Sequence, residues 1–166
     1  MNILRKFLQR RRFIRAQADA EKILSLIAPF LSVTGELASS TLRRNIPSWS
    51  LSNQTLINYL GYVAGVIDAA DKLIGHSSTE DWTATEIAFH QVIDAQLDWI
   101  DGIETFVEMN RMSVECGGST IGGLQEDPHF LAAMQLGGVD FLSIGQPGFF
   151  PTGLFELGLT GGKSSK

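Results

Sequence analysis

The sequence predicts a mainly α-helical protein, a small helical bundle folded as one domain over residues 1–166. Apolar residues recur at helical spacings over most of the chain, and helix start and stop signals bracket several of these stretches. Of the 166 residues, 44 % are hydrophobic and 19 % charged, enough to bury a core without disulfides or a structural metal. We divide the domain into a basic amphipathic helix over residues 1–28, a core helical pair over 53–113, and a Gly-rich loop, short helix and apolar tail over 114–166.

The first predicted helix runs from about Asn2 toward Ile27, where Pro29 ends or kinks it. A second, short helix is expected from Phe30 to Arg44, followed by a loop around Pro47. The apolar residues of the first helix lie mostly at helical spacings between arginines; they are Ile3, Leu4, Phe7, Leu8, Ile14 and Ala18.

Charge is distributed unevenly along the chain. Residues 1–22 contain seven basic and two acidic residues, so this segment carries +5 and the remainder –10, for a net charge of –5. Such a chain can attract its own copies head to tail, an acidic protein, an anionic membrane or nucleic acid. We expect a protein partner or a homo-oligomer, keep an anionic membrane surface as an alternative, and do not expect nucleic acid.

The next helix is predicted from Asn53 to Ile74, with Ser52 as its cap and Gly75 as its terminating residue. It is apolar nearly all round. Small residues recur along it at four-residue intervals and predict close packing against another helix; they are Gly61, Gly65 and Ala69.

A capping box, Thr83 to Glu86, predicts the start of the longest helix, about Ala84 to Met112. Its predicted buried face consists of Phe89, Val92, Ile93, Ile100, Ile103, Phe106 and Val107. Its acidic face consists of Asp94, Asp98, Asp101, Glu104 and Glu108. This face predicts a solvated surface.

Glycines after Ser113 predict a flexible loop through Gly123. Asp127-Pro128 is a helix start signal, and Gly137-Gly138 is interpreted as the stop of that short helix. From Val139 onward, apolar residues alternate with Gly and Pro without a sustained period. We therefore expect an irregular Gly/Phe-rich segment that packs on its own helices or on a neighbouring subunit.

Candidate chemical sites are weak in this sequence. His90 shares a helical face with Glu86, Asp94 and Asp98, and a neighbouring carboxylate would raise the imidazole pKa. The Glu-x-x-His spacing of bundle metal sites is absent, and no third group is evident to orient Cys116 with a histidine, of which the chain has His76, His90 and His129. The glycine runs lack the spacing of a phosphate-binding loop. We predict no enzyme activity, no metal and no cofactor.

Two short stretches resemble known signatures. Residues 10–15, Arg-Arg-Arg-Phe-Ile-Arg, resemble a twin-arginine export motif, which would imply export if an uncharged apolar stretch followed; Asp19, Glu21 and Lys22 interrupt it. The stretch Tyr59–Ala69 resembles a helix of the small immunity proteins that block type VI secretion effectors, over these residues alone. That resemblance implies an inhibitory protein, although the cysteines typical of the exported members are absent.

The expected compartment is the cytoplasm, because the single Cys116 cannot form an intrachain disulfide. The longest apolar run, Leu56 to Ile67, contains Asn58 and is shorter than the roughly 20 residues that cross a bilayer. No membrane span is therefore expected.

These observations favour a non-catalytic structural or adaptor protein that binds other protein chains within a larger assembly. Arginines would steer the contact and aromatic or aliphatic side chains would anchor it. The predicted partner-binding residues are Phe7, Arg10, Arg11, Arg12, Arg15, Phe149, Phe150, Leu154 and Phe155. The alternatives are an immunity or inhibitor protein with an acidic binding face and a peripheral membrane protein anchored by its basic helix.

Overall fold

The protein is a helical bundle, as a computed structural model that describes residues 3–75 and 83–161 shows. Within those ranges there is no strand, and the predicted mainly α fold is confirmed. The helices are α1 (Ile3–Asn45), α2 (Gln54–Leu73), α3 (Thr83–Leu97), α4 (Ile103–Glu115), α5 (Thr120–Leu124), α6 (Pro128–Leu142) and α7 (Thr152–Glu156). The bulkiest fully buried side chains of the core include Tyr59, Tyr62, Phe89 and Phe130.

Helix α1 is continuous through Pro29, so the predicted break at this residue is wrong. The two helices expected on either side of the proline form one element of 43 residues. Pro29 itself is exposed, while its neighbours Ile27, Phe30 and Leu31 are buried in the core. Their burial offsets the lost backbone hydrogen bond, because tertiary packing contributes more to a helix than local propensity does.

By length and composition, α1 is also able to cross a membrane. Its most apolar 18-residue window has a mean hydropathy of 1.4, and 33 % of that window is buried inside the bundle. Core helices of soluble proteins and amino-terminal signal sequences share this composition. Helix α1 nevertheless has no long uninterrupted apolar run, because serines, threonines and Pro29 are interspersed among its apolar residues. That the chain has no membrane span stays a prediction.

Helices α2 and α6 form the most extensive helix pair of the fold. A Cβ atom added to Gly61, Gly65 or Gly137 would lie closer than 3.0 Å to a backbone carbonyl oxygen of the opposite helix. The small-residue stripe of α2 thus faces α6. Ala69, the last residue of this stripe, is also buried. The predicted helix stop at Gly137-Gly138 is wrong, because these glycines provide close approach and α6 continues to Leu142.

The ends of α2 differ slightly from expectation. Asn53 caps the helix in place of Ser52, accepting a hydrogen bond from the Leu56 N–H at 3.2 Å. Gly75 follows the last turn with φ +84°, the left-handed conformation for which glycine is suited.

The predicted long helix Ala84–Met112 is instead two helices, α3 and α4. The turn between them is closed by hydrogen bonds from the Ile100 N–H to the Leu97 carbonyl and from the Ile103 N–H to the Ile100 carbonyl. Gly102 adopts φ +87° within this turn. Trp49 holds the turn in place, since its backbone N–H donates to the Asp101 carbonyl at 3.0 Å and its ring stacks on another aromatic ring of α4 at 4.1 Å.

The Gly-rich segment after α4 contains α5, so the expectation of an unbroken loop is wrong there. Ser119 caps this short helix by accepting a hydrogen bond from the Gly122 N–H at 2.8 Å. The predicted start of α6 is confirmed: the Asp127 carboxylate accepts from the His129 N–H at 2.8 Å, and Pro128 occupies the first turn.

The carboxy-terminal segment folds onto its own chain. Asp140 is buried on α6, and its carboxylate accepts hydrogen bonds from the Tyr62 hydroxyl and from the Gly153 and Leu154 N–H groups at 2.8–3.1 Å. It therefore ties α2, α6 and the start of α7 together. Leu159, further along, is fully buried. The described part of the tail is thus an integral part of the core.

Candidate interaction surface

The basic segment, which we define as Ile3–Arg15, is the exposed first part of α1. Every residue of Ile3–Arg12 is exposed, and Phe13 is the first that is half-buried. The segment contains no acidic residue; its basic residues are Arg5, Lys6, Arg10, Arg11, Arg12 and Arg15. A helix that carries this many like charges requires an oppositely charged or solvated environment.

An apolar stripe on the basic segment faces away from the bundle. Phe7 and Ile14 each precede a buried residue, Ala16 and Ile23, by nine positions, which is two and a half turns of an α-helix. They therefore lie on the opposite side of α1 from the core. Leu8 differs, because it lines the groove between α1 and the end of α4. We call the other exposed apolar side chains of the segment the outward stripe; they are Ile3, Leu4, Phe7 and Ile14, and their exposed fractions range from 53 % to 84 %.

The inward side of the basic segment contacts the bundle lightly. The Gln9 side-chain amide donates to the Glu115 carbonyl at the end of α4, at 3.0 Å. A groove between α1 and this end of α4 is lined by Phe13, Thr83 and Val114, together with four arginines of the segment, Arg5, Arg11, Arg12 and Arg15. The segment is therefore positioned against its own chain, while its outward stripe stays exposed.

The predicted anchors in the tail divide into two groups. Leu154 is fully buried, so its assignment as a partner-binding residue is wrong: it belongs to the chain's own core. Phe149 is half-buried, with its ring 6.1 Å from that of Phe30. Phe150 and Phe155 are both exposed, and their rings lie 6.5 Å apart. Only this last pair is accessible.

An acidic surface surrounds the turn between α3 and α4. We define it by four exposed carboxylates that pair with no cation of the described chain: Asp94, Asp98, Asp101 and Glu104. Glu108 lies on the same face but is paired. The Arg111 guanidinium donates a hydrogen bond to its carboxylate and holds the pKa of this carboxyl below the ordinary value. Arg111 also pairs with Glu115.

Glu86 has a structural position that the sequence did not indicate. It is fully buried and does not close a capping box; its Oε1 accepts hydrogen bonds from the Ser119 hydroxyl and the Ile121 N–H, which fixes the start of α5 against α3. Burial raises the pKa of this carboxyl despite these hydrogen bonds. The four residues predicted to share one face thus do not, because Glu86 points inward while Asp94 is exposed and Asp98 lies past the end of α3.

Burial also lowers the pKa of His90, although a backbone hydrogen bond to Glu86 and the charge of Asp94 act in the opposite direction. The expectation of a raised imidazole pKa is therefore wrong, because desolvation of the charged form outweighs the nearby carboxylate. Within residues 3–75 and 83–161, no group of histidine, cysteine or carboxylate side chains has the arrangement of a metal site. Cys116 is exposed, and His76 lies outside the described residues.

The chain matches no known family model, no curated protein and no solved structure.

Proposed function

We propose that this protein is a non-catalytic structural or adaptor protein, which binds other protein chains through its basic segment. One observation carries the proposal: the outward stripe of α1 is exposed, faces away from the bundle and is bordered by six basic residues without a single acidic one. Exposed apolar patches of this kind are typical of interaction sites. Its charge selects a partner with an acidic surface.

The position of the arginines favours a protein partner over a bilayer. Arg11 lies one turn after Phe7 on α1, and its guanidinium is 5.0 Å from the centre of that ring. If this face lay in a membrane surface, the guanidinium would have to stay at the level of the headgroups, which limits how deeply Phe7 could be buried in lipid. Arginine and aromatic side chains are instead enriched together at protein interfaces.

The proposed contact has two parts. The outward stripe supplies side chains that lose water on binding, and Phe7 is the anchor with the largest apolar area. Arg10 and Arg12, which have no acidic partner in the described chain, supply long-range attraction and orientation. Mutating the apolar group should therefore accelerate dissociation, and mutating the charges should slow association.

A photo-crosslinking residue tests this proposal in the cells that produce the protein. In the variant Phe7→p-benzoylphenylalanine, illumination should join the chain to one defined protein, with the crosslink mapped by mass spectrometry to an acidic surface. The same residue in place of Leu73, which is 61 % exposed at the end of α2, is the matched control and should give no such adduct. Adducts with lipid alone, or none at either position, would contradict a protein-binding function.

A further inference from the structure

The basic segment and the acidic surface lie at opposite ends of α4, because the Gln9 amide donates to the Glu115 carbonyl where α4 ends and the acidic surface surrounds the residues where it begins. Helices α1 and α3 run in the same direction, because Thr83 lies beside Phe13 and the Gln96 amide donates to the Leu31 carbonyl at 3.0 Å. The bond from the Trp49 N–H to the Asp101 carbonyl then places the α3–α4 turn where α1 ends. At 1.5 Å per residue, the 13 residues of α4 separate the two surfaces by roughly 20 Å.

One chain cannot bring these surfaces together. Helix α4 holds them apart by more than twice the Debye length, which is about 8 Å at physiological salt, so their charges compensate each other only weakly within a molecule. Each surface therefore keeps its own field. The two fields have opposite signs at the two ends of α4, which orients neighbouring molecules head to tail.

We infer that the basic segment of one molecule binds the acidic surface of a second copy of this chain, in a head-to-tail contact. This inference rests on the proposed function and adds to it the identity of the partner. The charges are complementary, since residues 3–15 contain six basic and no acidic residues, whereas residues 94–108 contain five acidic and no basic ones. Protein interfaces with opposed fields of this kind associate quickly and in one register.

The acidic surface also offers apolar area to receive the outward stripe. Leu51 is 48 % exposed just after Trp49, which contacts the same turn, and Trp99 is half-buried beside Asp98. These side chains lie next to the carboxylates, as the outward stripe lies next to the arginines. The two surfaces therefore match in apolar content as well as in charge.

Two arginines of the same chain end α1 near this surface. The guanidinium of Arg43 lies 4.7 Å from the centre of the Trp99 ring and forms no ion pair with the described carboxylates. Arg44 is exposed and likewise unpaired. The four carboxylates of the acidic surface outnumber these two arginines, so the surface stays negative.

A contact between two different surfaces leaves each molecule with one surface still free. Such heterologous contacts produce a closed ring when the rotation between copies closes, and an open filament when it does not. The head-to-tail contact thus predicts assemblies larger than a dimer. It also predicts that salt dissolves them, because exposed charges attract over a distance that salt shortens.

Mixing two charge-reversal variants of the full-length protein tests the inference by light scattering. Wild type should exceed its monomer mass of 18.1 kDa at low salt and return to it at about 0.5 M salt. The variant Arg10→Glu/Arg15→Glu and the variant Asp98→Lys/Asp101→Lys should each remain monomeric. Their equimolar mixture should assemble again, because the unchanged acidic surface of the first variant can bind the unchanged basic segment of the second.

The control Glu126→Lys/Glu156→Lys changes the net charge as much as the Asp98/Asp101 variant does, at exposed positions outside both surfaces, and should assemble like wild type. Circular dichroism checks that all variants are folded. Wild type that stays at 18.1 kDa at low salt overturns the inference, even if it binds vesicles of anionic lipid. A mixture that stays monomeric while wild type assembles overturns the head-to-tail pairing. In either case the crosslink at position 7 decides the proposed function separately.

Discussion

Gly65 of α2 lies directly against the backbone of α6, with no room for a Cβ atom in front of the Met134 carbonyl oxygen. Gly137 of α6 is in the equivalent position opposite the Tyr62 carbonyl, so each helix presents a glycine to the backbone of the other. This reciprocal approach fixes the spacing of the two helices. Because both carbonyls belong to helix backbone, neither can move without disturbing its own hydrogen bonds.

Gly65→Ala should therefore lower the free energy of unfolding by about 3 kcal/mol, the upper part of the usual range for overpacking a core. Chemical denaturation monitored by circular dichroism measures this. Gly145→Ala is the control, because a Cβ there meets no atom within 4 Å. Equal stability of the two variants would show that α2 and α6 are not in such close contact.

Asp140→Asn should destabilise the protein by about 2–4 kcal/mol. The carboxylate accepts hydrogen bonds from Tyr62, Gly153 and Leu154, whereas the NH2 group of asparagine is itself a donor and would face one of these buried donors. Protease cleavage between residues 143 and 161 should accelerate as the tail detaches. The control is Asp127→Asn, which replaces a carboxylate at a more exposed helix cap where asparagine serves equally well. If both substitutions are equally mild, Asp140 does not hold the tail.

Glu86→Gln should change how stability depends on pH. Because burial raises the Glu86 pKa in the folded state, the native protein holds this proton to a higher pH than the unfolded chain, whose pKa is near 4.5. The contribution of Glu86 to the free energy of unfolding is therefore fully present below the pKa of the unfolded chain. It is lost as the pH rises through the higher pKa of the folded state. Glutamine retains the acceptor for Ser119 and Ile121 and has no proton to lose.

The stability of Glu86→Gln relative to wild type should accordingly increase as the pH rises above about 4.5, as measured by urea unfolding at each pH. His90, whose pKa is lowered, titrates in both proteins and cancels in the difference. The exposed substitution Glu126→Gln should show no such trend. A difference that is independent of pH would contradict a raised pKa at Glu86.

The continuity of α1 predicts a long, well-defined distance across Pro29. In a Cys116→Ser background, spin labels at Leu8→Cys and Ser40→Cys should be separated by about 48 Å between backbones, 32 residues at 1.5 Å each. Pulsed electron spin resonance measures this distance. Labels at Leu8→Cys and Leu26→Cys, on one side of the proline, are the control. A short or broad distribution confined to the first pair would show that Pro29 breaks the helix.

The sequence predicted those features that depend on neighbouring residues. The start of α6 at Asp127-Pro128 could be predicted because cap and proline act within one turn. Gly61 and Gly65 could be interpreted as a packing stripe because their spacing alone places them on one side of a helix.

Features that depend on distant contacts were not predictable in this way. Pro29 is accommodated by the burial of its neighbours, and Gly137 is helical because Tyr62 lies opposite, yet either residue in isolation predicts a helix end. For the interaction surface, the arginines and Phe7 could be predicted as candidates from the basic, amphipathic pattern at the start of the chain. It could not separate the exposed Phe150 from the buried Leu154, because the tail lacks a period and its burial depends on Asp140.

The most direct test of a protein-binding basic segment is the mass of the protein isolated natively, at physiological salt, from cells that produce it. Light scattering should give a mass well above 18.1 kDa for wild type and for the control Leu73→Ser/Val139→Ser, whose two sites are as exposed as the outward stripe. The variant Phe7→Ser/Ile14→Ser should stay folded and run at 18.1 kDa. A wild-type mass of 18.1 kDa, or an assembly that survives loss of Phe7 and Ile14, would contradict the account.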